Sequence, residues 1–254
     1  MRAVILSGSG RTADPWHPYP ETSAALAAIA RDAGFDVEIV EGPLEGLAGL
    51  GRAVGSSGQA VADDVRVLIV NAGDPDGEPA PGAVDLPQPS AELVATAADS
   101  LDAALERGVG ILALHSAAAT LRELPAYGEA LGARWIAGHS WHPPFGEAHV
   151  HVVGNHPIAE GLVDFSVLDE RYTDLRLTGV IEPIAEHDEG GERHPLVWAR
   201  EIGRSRLVYS GLGHDARSYE SDANRDLIAR ALGWLAEVPA PSAGHGVADF
   251  GFPS

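Results

Sequence analysis

The stretch Gly108-Val-Gly-Ile-Leu-Ala-Leu-His-Ser-Ala-Ala-Ala-Thr-Leu121 constrains this chain more than any other. Gly110–Leu114 is a continuous apolar run of the kind found in a parallel sheet covered on both faces, and it stops at a polar pair, His115-Ser116. The small residues that follow are expected to open a helix. In open α/β sheets, ligands bind just beyond the carboxyl ends of the strands, where the next helix offers unpaired backbone N–H groups. A side chain at such a strand-to-helix corner is held outward, in the manner of a nucleophile elbow. Here that side chain is an imidazole.

The rest of the N-terminal half repeats the strand–helix alternation. Runs at 2–7, 36–40 and 65–70 read as strands, and 21–33 and 90–107 as helices, with Ser90 as an N-cap and Gly34 and Gly108 as stops. Residues 44–58 are Gly-rich and weakly helical at best, and the acidic Pro/Gly segment 72–89 reads as a surface loop or a lid. This alternation predicts a doubly wound, mostly parallel sheet. After residue 148 the pattern changes: runs at 148–153, 165–168, 180–185, 195–199 and 205–210 follow one another with little helix between them. They predict antiparallel additions in the C-terminal half. A last helix spans 224–237; the expected domain is 1–238, with 239–254 a Pro/Gly/Ser-rich tail.

Composition narrows the chemistry. There is no cysteine, and all seventeen basic residues are arginine, which removes a thiolate nucleophile, a Schiff-base lysine and the P-loop lysine together. A formal net charge of −20 disfavours nucleic acid and anionic membranes. No run approaches a membrane span, and the apolar start is too short for a signal peptide, so the expected location is the cytoplasm.

Histidines and carboxylates remain. Most of the eleven histidines fall between His139 and His194, including His139-Ser-Trp-His142 and the same-face pair His149 and His151, and none matches a structural zinc signature. Three sit at strand ends that a parallel sheet brings to one rim: His17 after the first strand, His115 after the fourth, and His214 after the last. His139, in a Gly-His-Ser loop, is a candidate to join them. Asp169-Glu170, followed by Tyr172, places paired carboxylates after another strand, where Arg171 or Arg176 could instead pair with them. Asp215 follows His214 and is a candidate to orient an imidazole.

These pieces together resemble one family. Gly108–Ala117, Leu131–His139, His156–Leu162, Asp169–Tyr172, His194–Trp198 and Gly203–Asp215 occur in the order seen in ThuA-like (trehalose utilisation) proteins, which share the class I glutamine amidotransferase, flavodoxin-like fold. The resemblance implies that His115 occupies the elbow where the amidotransferases carry a catalytic cysteine, and that His214 occupies their histidine position. Glutaminase chemistry needs the thiolate, so that activity is not expected. Asn71-Ala-Gly-Asp74 also departs from the Gly-Gly turn of the parent oxyanion hole. Ser116 as nucleophile with His214 as base is a minor reading.

What the resemblance implies is a role in using trehalose or a related disaccharide, including a keto-sugar made by a partner sugar dehydrogenase. The candidate catalytic residues are His115, His214 and Glu170. His17, Trp16, Tyr172, Asp169 and Ser116 are candidate substrate contacts, with Trp16, Tyr172 and Trp141 offering aromatic faces to a pyranose. In a metal reading, His17, His115, His139 and His214, with Glu170, hold Zn²⁺ or another divalent ion. In a metal-free reading, a histidine and a carboxylate do acid–base work. A non-catalytic small-molecule-binding module and a metal-dependent hydrolase of unrelated substrate stand as rivals. Homo-oligomerisation is left open.

Overall fold

Continuous apolar runs become a row of parallel strands. The computed structural model describes residues 1–50, 64–77 and 86–237. Strands β1 (Arg2–Ser7), β2 (Asp36–Glu41), β3 (Val65–Asn71) and β4 (Gly110–Leu114) alternate with helices α1 (Tyr19–Asp32), α2 (Pro43–Leu50) and α3 (Ala91–Arg107). Then follow α4 (Pro125–Leu131), β5 (Ala133–Arg134), β6 (Gly146–Val152), β7 (Phe165–Asp169), β8 (Arg176–Leu177), β9 (Glu182–Glu189), β10 (Glu192–Ile202), β11 (Ser205–Ser210) and α5 (Asp222–Ala236). Among the described residues, the main sheet has the order β2-β1-β3-β4-β11-β10-β9-β6-β7, and β5 pairs with β8 alone.

Alternation along β1 shows how both faces are covered. Ala3 and Ile5 join a core with Leu26 of α1 and Leu227 of α5, whereas Val4 and Leu6 join one with Leu47 of α2 and Leu101 of α3. Each such fully buried side chain contributes roughly 1.5–3 kcal/mol. Helix ends follow their sequence signals: Ser90 Oγ accepts from Leu93 N at 3.1 Å, and Gly108 closes α3 in the left-handed region.

β2, β1, β3, β4 and β11 are parallel to their neighbours, so their carboxyl ends share one edge. Beyond β11 the pairings to β10, β9, β6 and β7 are antiparallel. Four reversals return β7 to the sense of β11, so the carboxyl end of β7 also faces that edge. β6 meets β9 through only His151/Glu186 and Val152/Ala185. Asp169, at the end of β7, bonds the backbone after β11.

Several expectations need correction. The elbow is followed by one 3-10 turn, His115–Ala118, rather than an α-helix; Leu121 adopts φ 51° and regular helix returns only at α4. Pro43–Leu50 is helical despite its glycines, because a Cβ on Gly46 would stand 2.5 Å from Leu6, so glycine lets α2 lie close to β1. The β9–β10 hairpin is longer at both strands than its apolar runs suggest, since its ends carry charged, partly exposed residues around Gly190-Gly191. Part of the acidic segment 72–89 and the tail 239–254 lie outside the described residues. No helix among the described residues is long and apolar enough to cross a membrane.

Candidate functional site

His115 stands at the end of β4 with φ 47°, a conformation that costs a non-glycine residue roughly 1 kcal/mol or more. Such backbone strain collects at functional sites. Its ring is 1 % exposed. Nδ1 lies 2.7 Å from Gly211 O, so Nδ1 carries the proton and Nε2 is left with a free lone pair. His17 is held the same way from the other side. Asp14 accepts from the backbone N–H of Trp16 and of His17 at 3.0 Å, forming a turn, and its carboxylate takes His17 Nδ1 at 2.7 and 2.8 Å. His17 Nε2 therefore also points inward as an acceptor.

Glu170 arrives from β7 and His214 from the loop after β11. His214 Nδ1 is 3.1 Å and His115 Nε2 is 3.4 Å from Glu170 Oε2, both out of line for a hydrogen bond. His17 Nε2, His115 Nε2 and His214 Nδ1 are buried without hydrogen-bond partners. One ligand atom from each of His17, His115, Glu170 and His214 lies within 4.8 Å of all the others. Burial pushes the His115 imidazole down, toward the neutral form. Burial alone would raise Glu170, but the positive charge that His115 and His214 carry when protonated holds its carboxyl well below the usual range. Burial would likewise lower His214, and Glu170 raises it instead.

A cavity of ≈ 430 Å³ reaches two members of this cluster, His17 and Glu170, and is lined besides by Asp14, Trp16, Asp74, Asp76, Ser116, Trp135, His142 and Tyr172. That volume suits a small ligand. Tyr172 is part of the lining, its ring centroid 4.0 Å from that of His115 and 4.4 Å from that of Trp135. Trp16, also on the lining, is 54 % exposed.

Not every anticipated residue is here. His139 is exposed in the turn that begins at Ile136, outside the cluster; His142 from the same segment lines the cavity instead, with Nδ1 3.6 Å from Glu170 Oε1. Trp141 is turned outward to Asp174, whose carboxylate accepts its indole N–H at 2.8 Å. Asp169, expected at the substrate, points away because successive strand residues face opposite sides. Its buried carboxylate accepts from Gly213 N at 2.8 Å, His214 N at 3.1 Å, Glu170 N at 2.8 Å and the Ser218 hydroxyl. It positions two site residues at once. Asp215 caps its own loop and pairs with Arg217 rather than with an imidazole. Ser116 Oγ donates to Ala72 O and contacts Tyr19, which leaves it poorly placed as a nucleophile.

Asp14, Trp135 and His142 are the residues that sequence reasoning missed. The Asp14-Pro15 turn signal three residues before His17 could have found the first. The other two lie in a loop with no periodic pattern.

The fold has counterparts among solved structures. A ThuA-like protein from Parabacteroides merdae ATCC 43184 superposes with a TM-score of 0.68 at 18% identity, over 93% of this chain and 90% of its own. One from Bacteroides uniformis ATCC 8492 gives 0.60 at 16%, covering 92% and 91%. Part of a β-galactosidase from Bacillus circulans sp. alkalophilus gives 0.54 at 9%, covering 92% of this chain but 30% of that one, a likeness of fold alone. No curated protein sequence matches. The family model described as ThuA, trehalose utilisation, matches residues 84–235, from before α3 nearly to the end of α5. That match takes in the elbow, Glu170 and His214 and spans more than half of the sequence; the chain belongs to the ThuA family.

Proposed function

We propose that His17, His115, Glu170 and His214 hold a divalent metal ion, Zn²⁺ or one like it, in an enzyme that processes a disaccharide or keto-sugar. The observation that carries this reading is the set of three buried imidazole nitrogens, unpaired and converging on one carboxylate. Leaving such atoms unsatisfied costs about 1–3 kcal/mol each, and a cation is the group that relieves all of them at once. The outer layer fits as well, since metal-bound histidines commonly donate their other N–H to a carboxylate or a backbone carbonyl, as His17 does to Asp14 and His115 to Gly211. When bound, the ion supplies Lewis acidity for a sugar hydroxyl or carbonyl, or an activated water.

The chain's own groups do the rest. Asp14 and Gly211 fix two tautomers, and Asp169 fixes the backbone that presents Glu170 and His214. His142, at the cavity wall beside Glu170 Oε1, is placed to hold a proton for a substrate oxygen. Trp16, Trp135 and Tyr172 offer faces to the apolar side of a sugar ring, and Asp74 and Asp76 accept from hydroxyls at the rim. We read the sheet as the doubly wound, amidotransferase-like arrangement with antiparallel strands added beyond β11. The sugar comes from the family's trehalose-utilisation description, and a sugar dehydrogenase is the class of partner that would supply a keto-sugar.

Metal analysis and turnover assays on one preparation test this. One divalent ion in the central cluster is expected, with turnover of a disaccharide or its keto derivative, both lost in His115→Ala. A chain with no metal affinity overturns the metal site; turnover that survives His115→Ala overturns the catalytic role. Saturable sugar binding without turnover would make the protein a binding module.

A further inference from the structure

A second group of metal-ligating side chains lies on the opposite, solvent-facing part of the β6–β7 hairpin. His149 and His151 are two residues apart on β6 and so share a face. Their ring centroids are 4.6 Å apart, at 84°. Asp164 immediately precedes β7. Its Oδ1 accepts from Val152 N at 2.9 Å, which pins the carboxylate, and its Oδ2 lies 3.0 Å from His151 Nδ1. On the far side of the same ring, Asp188 Oδ2 is 2.9 Å from Nε2, and Asp188 is itself paired with Arg193 at 2.7 Å.

A neutral imidazole has one N–H and can satisfy only one of these two carboxylates. When Nε2–H donates to Asp188, the Nδ1 lone pair faces a carboxylate oxygen, an acceptor against an acceptor. A proton relieves that contact by making the ring an imidazolium, and so does a metal ion bound between Nδ1 and Oδ2. The geometry favours a metal in one further respect: a nitrogen of His149 is already in place, and ligand atoms of His149, His151 and Asp164 lie within 4.8 Å of one another. Asp188 then acts as the outer carboxylate that orients a ligating ring.

We propose that His149, His151 and Asp164 form a second, solvent-facing site for a borderline transition-metal ion, of the Zn²⁺, Ni²⁺ or Cu²⁺ class. Two imidazoles and one carboxylate select these ions over Mg²⁺ or Ca²⁺, which prefer all-oxygen shells, and solvent completes the coordination. The ion joins the end of β6 to the start of β7 and closes the connection between residues 151 and 164. It acts as a clasp on the hairpin that carries Glu170. The inference does not depend on the central cluster.

Zinc titration of the intact chain by calorimetry, with thermal melts, tests it on four proteins: wild type, Asp164→Asn, His149→Ala and His115→Ala. Asp164→Asn keeps the Oδ1 contact with Val152 and removes the charge. His149→Ala removes a ring whose other polar contact is a 3.4 Å approach to Ser166 Oγ, and so leaves the fold in place. The expected result is that each of these two weakens one zinc-binding event by about tenfold or more, and removes part of the zinc-induced rise in Tm, while the event lost in His115→Ala persists. Titrations of Asp164→Asn and His149→Ala that both superimpose on wild type overturn the proposal. Loss of binding in those two with an unchanged His115→Ala titration supports it and sinks the central metal instead.

Discussion

The two histidine clusters use the same donors and treat them in opposite ways. At the sheet edge near β4 and β11, the inner nitrogens of His17, His115 and His214 are buried without hydrogen-bond partners, and Asp14 and Gly211 hold the first two rings from behind. On the β6–β7 hairpin, His151 has both nitrogens against carboxylates. In both clusters the ligand atoms lie within 4.8 Å of one another, so that criterion does not separate them. Burial does. A buried lone pair held in place has no water to turn to and is ready for a cation, whereas an exposed one must first give up a partner. The central cluster is therefore expected to bind metal more tightly, and the outer one to exchange it more readily.

The comparison can be broken most severely at His115. His115→Ala removes a ligand, and activity and central metal affinity should fall by more than the about 10–100-fold that loss of an orienting partner costs; a steady-state assay with bound-metal analysis reads both. Asp169→Ala strips a buried acceptor from three backbone N–H groups, and urea unfolding should show a loss of about 3 kcal/mol or more. Asp14→Asn leaves the fold intact but loosens His17; metal affinity or activity should drop about 10–100-fold.

Burial also sets a pH dependence outside the two histidine clusters. Desolvation lowers the pKa of His156 and of His187. The unfolded chain then binds more protons than the folded one below about pH 6.5, so these two groups make stability fall as pH drops through that value. Urea midpoints at pH 7.5 and 5.5 should differ less in His187→Gln than in wild type. The smallest effect is expected at the surface: without metal, His151→Ala should change stability by less than about 1 kcal/mol in the same assay.

Much of this arrangement was legible in the sequence, for a physical reason. Strands buried on both faces need unbroken apolar runs, so β1, β3, β4 and β11 stand out, and parallel pairing brings the residues after them to one edge. This is why His17, His115 and His214 could be named together. Glu170 is visible as half of a carboxylate pair and is named for the chemistry, but the positioning role of Asp169 is not, because strand alternation sends one to the cluster and the other to the backbone. His142 was out of reach. It stands in a loop fixed by pairing of Trp141 with Thr173, a contact between segments far apart in the chain that leaves no local pattern. The choice of His139 failed for the same reason. The short turn after β4 is hidden too, since a run of alanines reads as helix whereas the turn stops at Ala118 and Leu121 takes a positive φ.

The central claim is that the four inner side chains share one metal ion, and crystals of the intact protein grown with Zn²⁺ test it most directly. Anomalous difference density collected at the zinc edge should show a peak bounded by His17, His115, Glu170 and His214, stronger than any peak at His149, His151 and Asp164. A map with no peak in the central cluster, with those side chains ordered, would contradict the account.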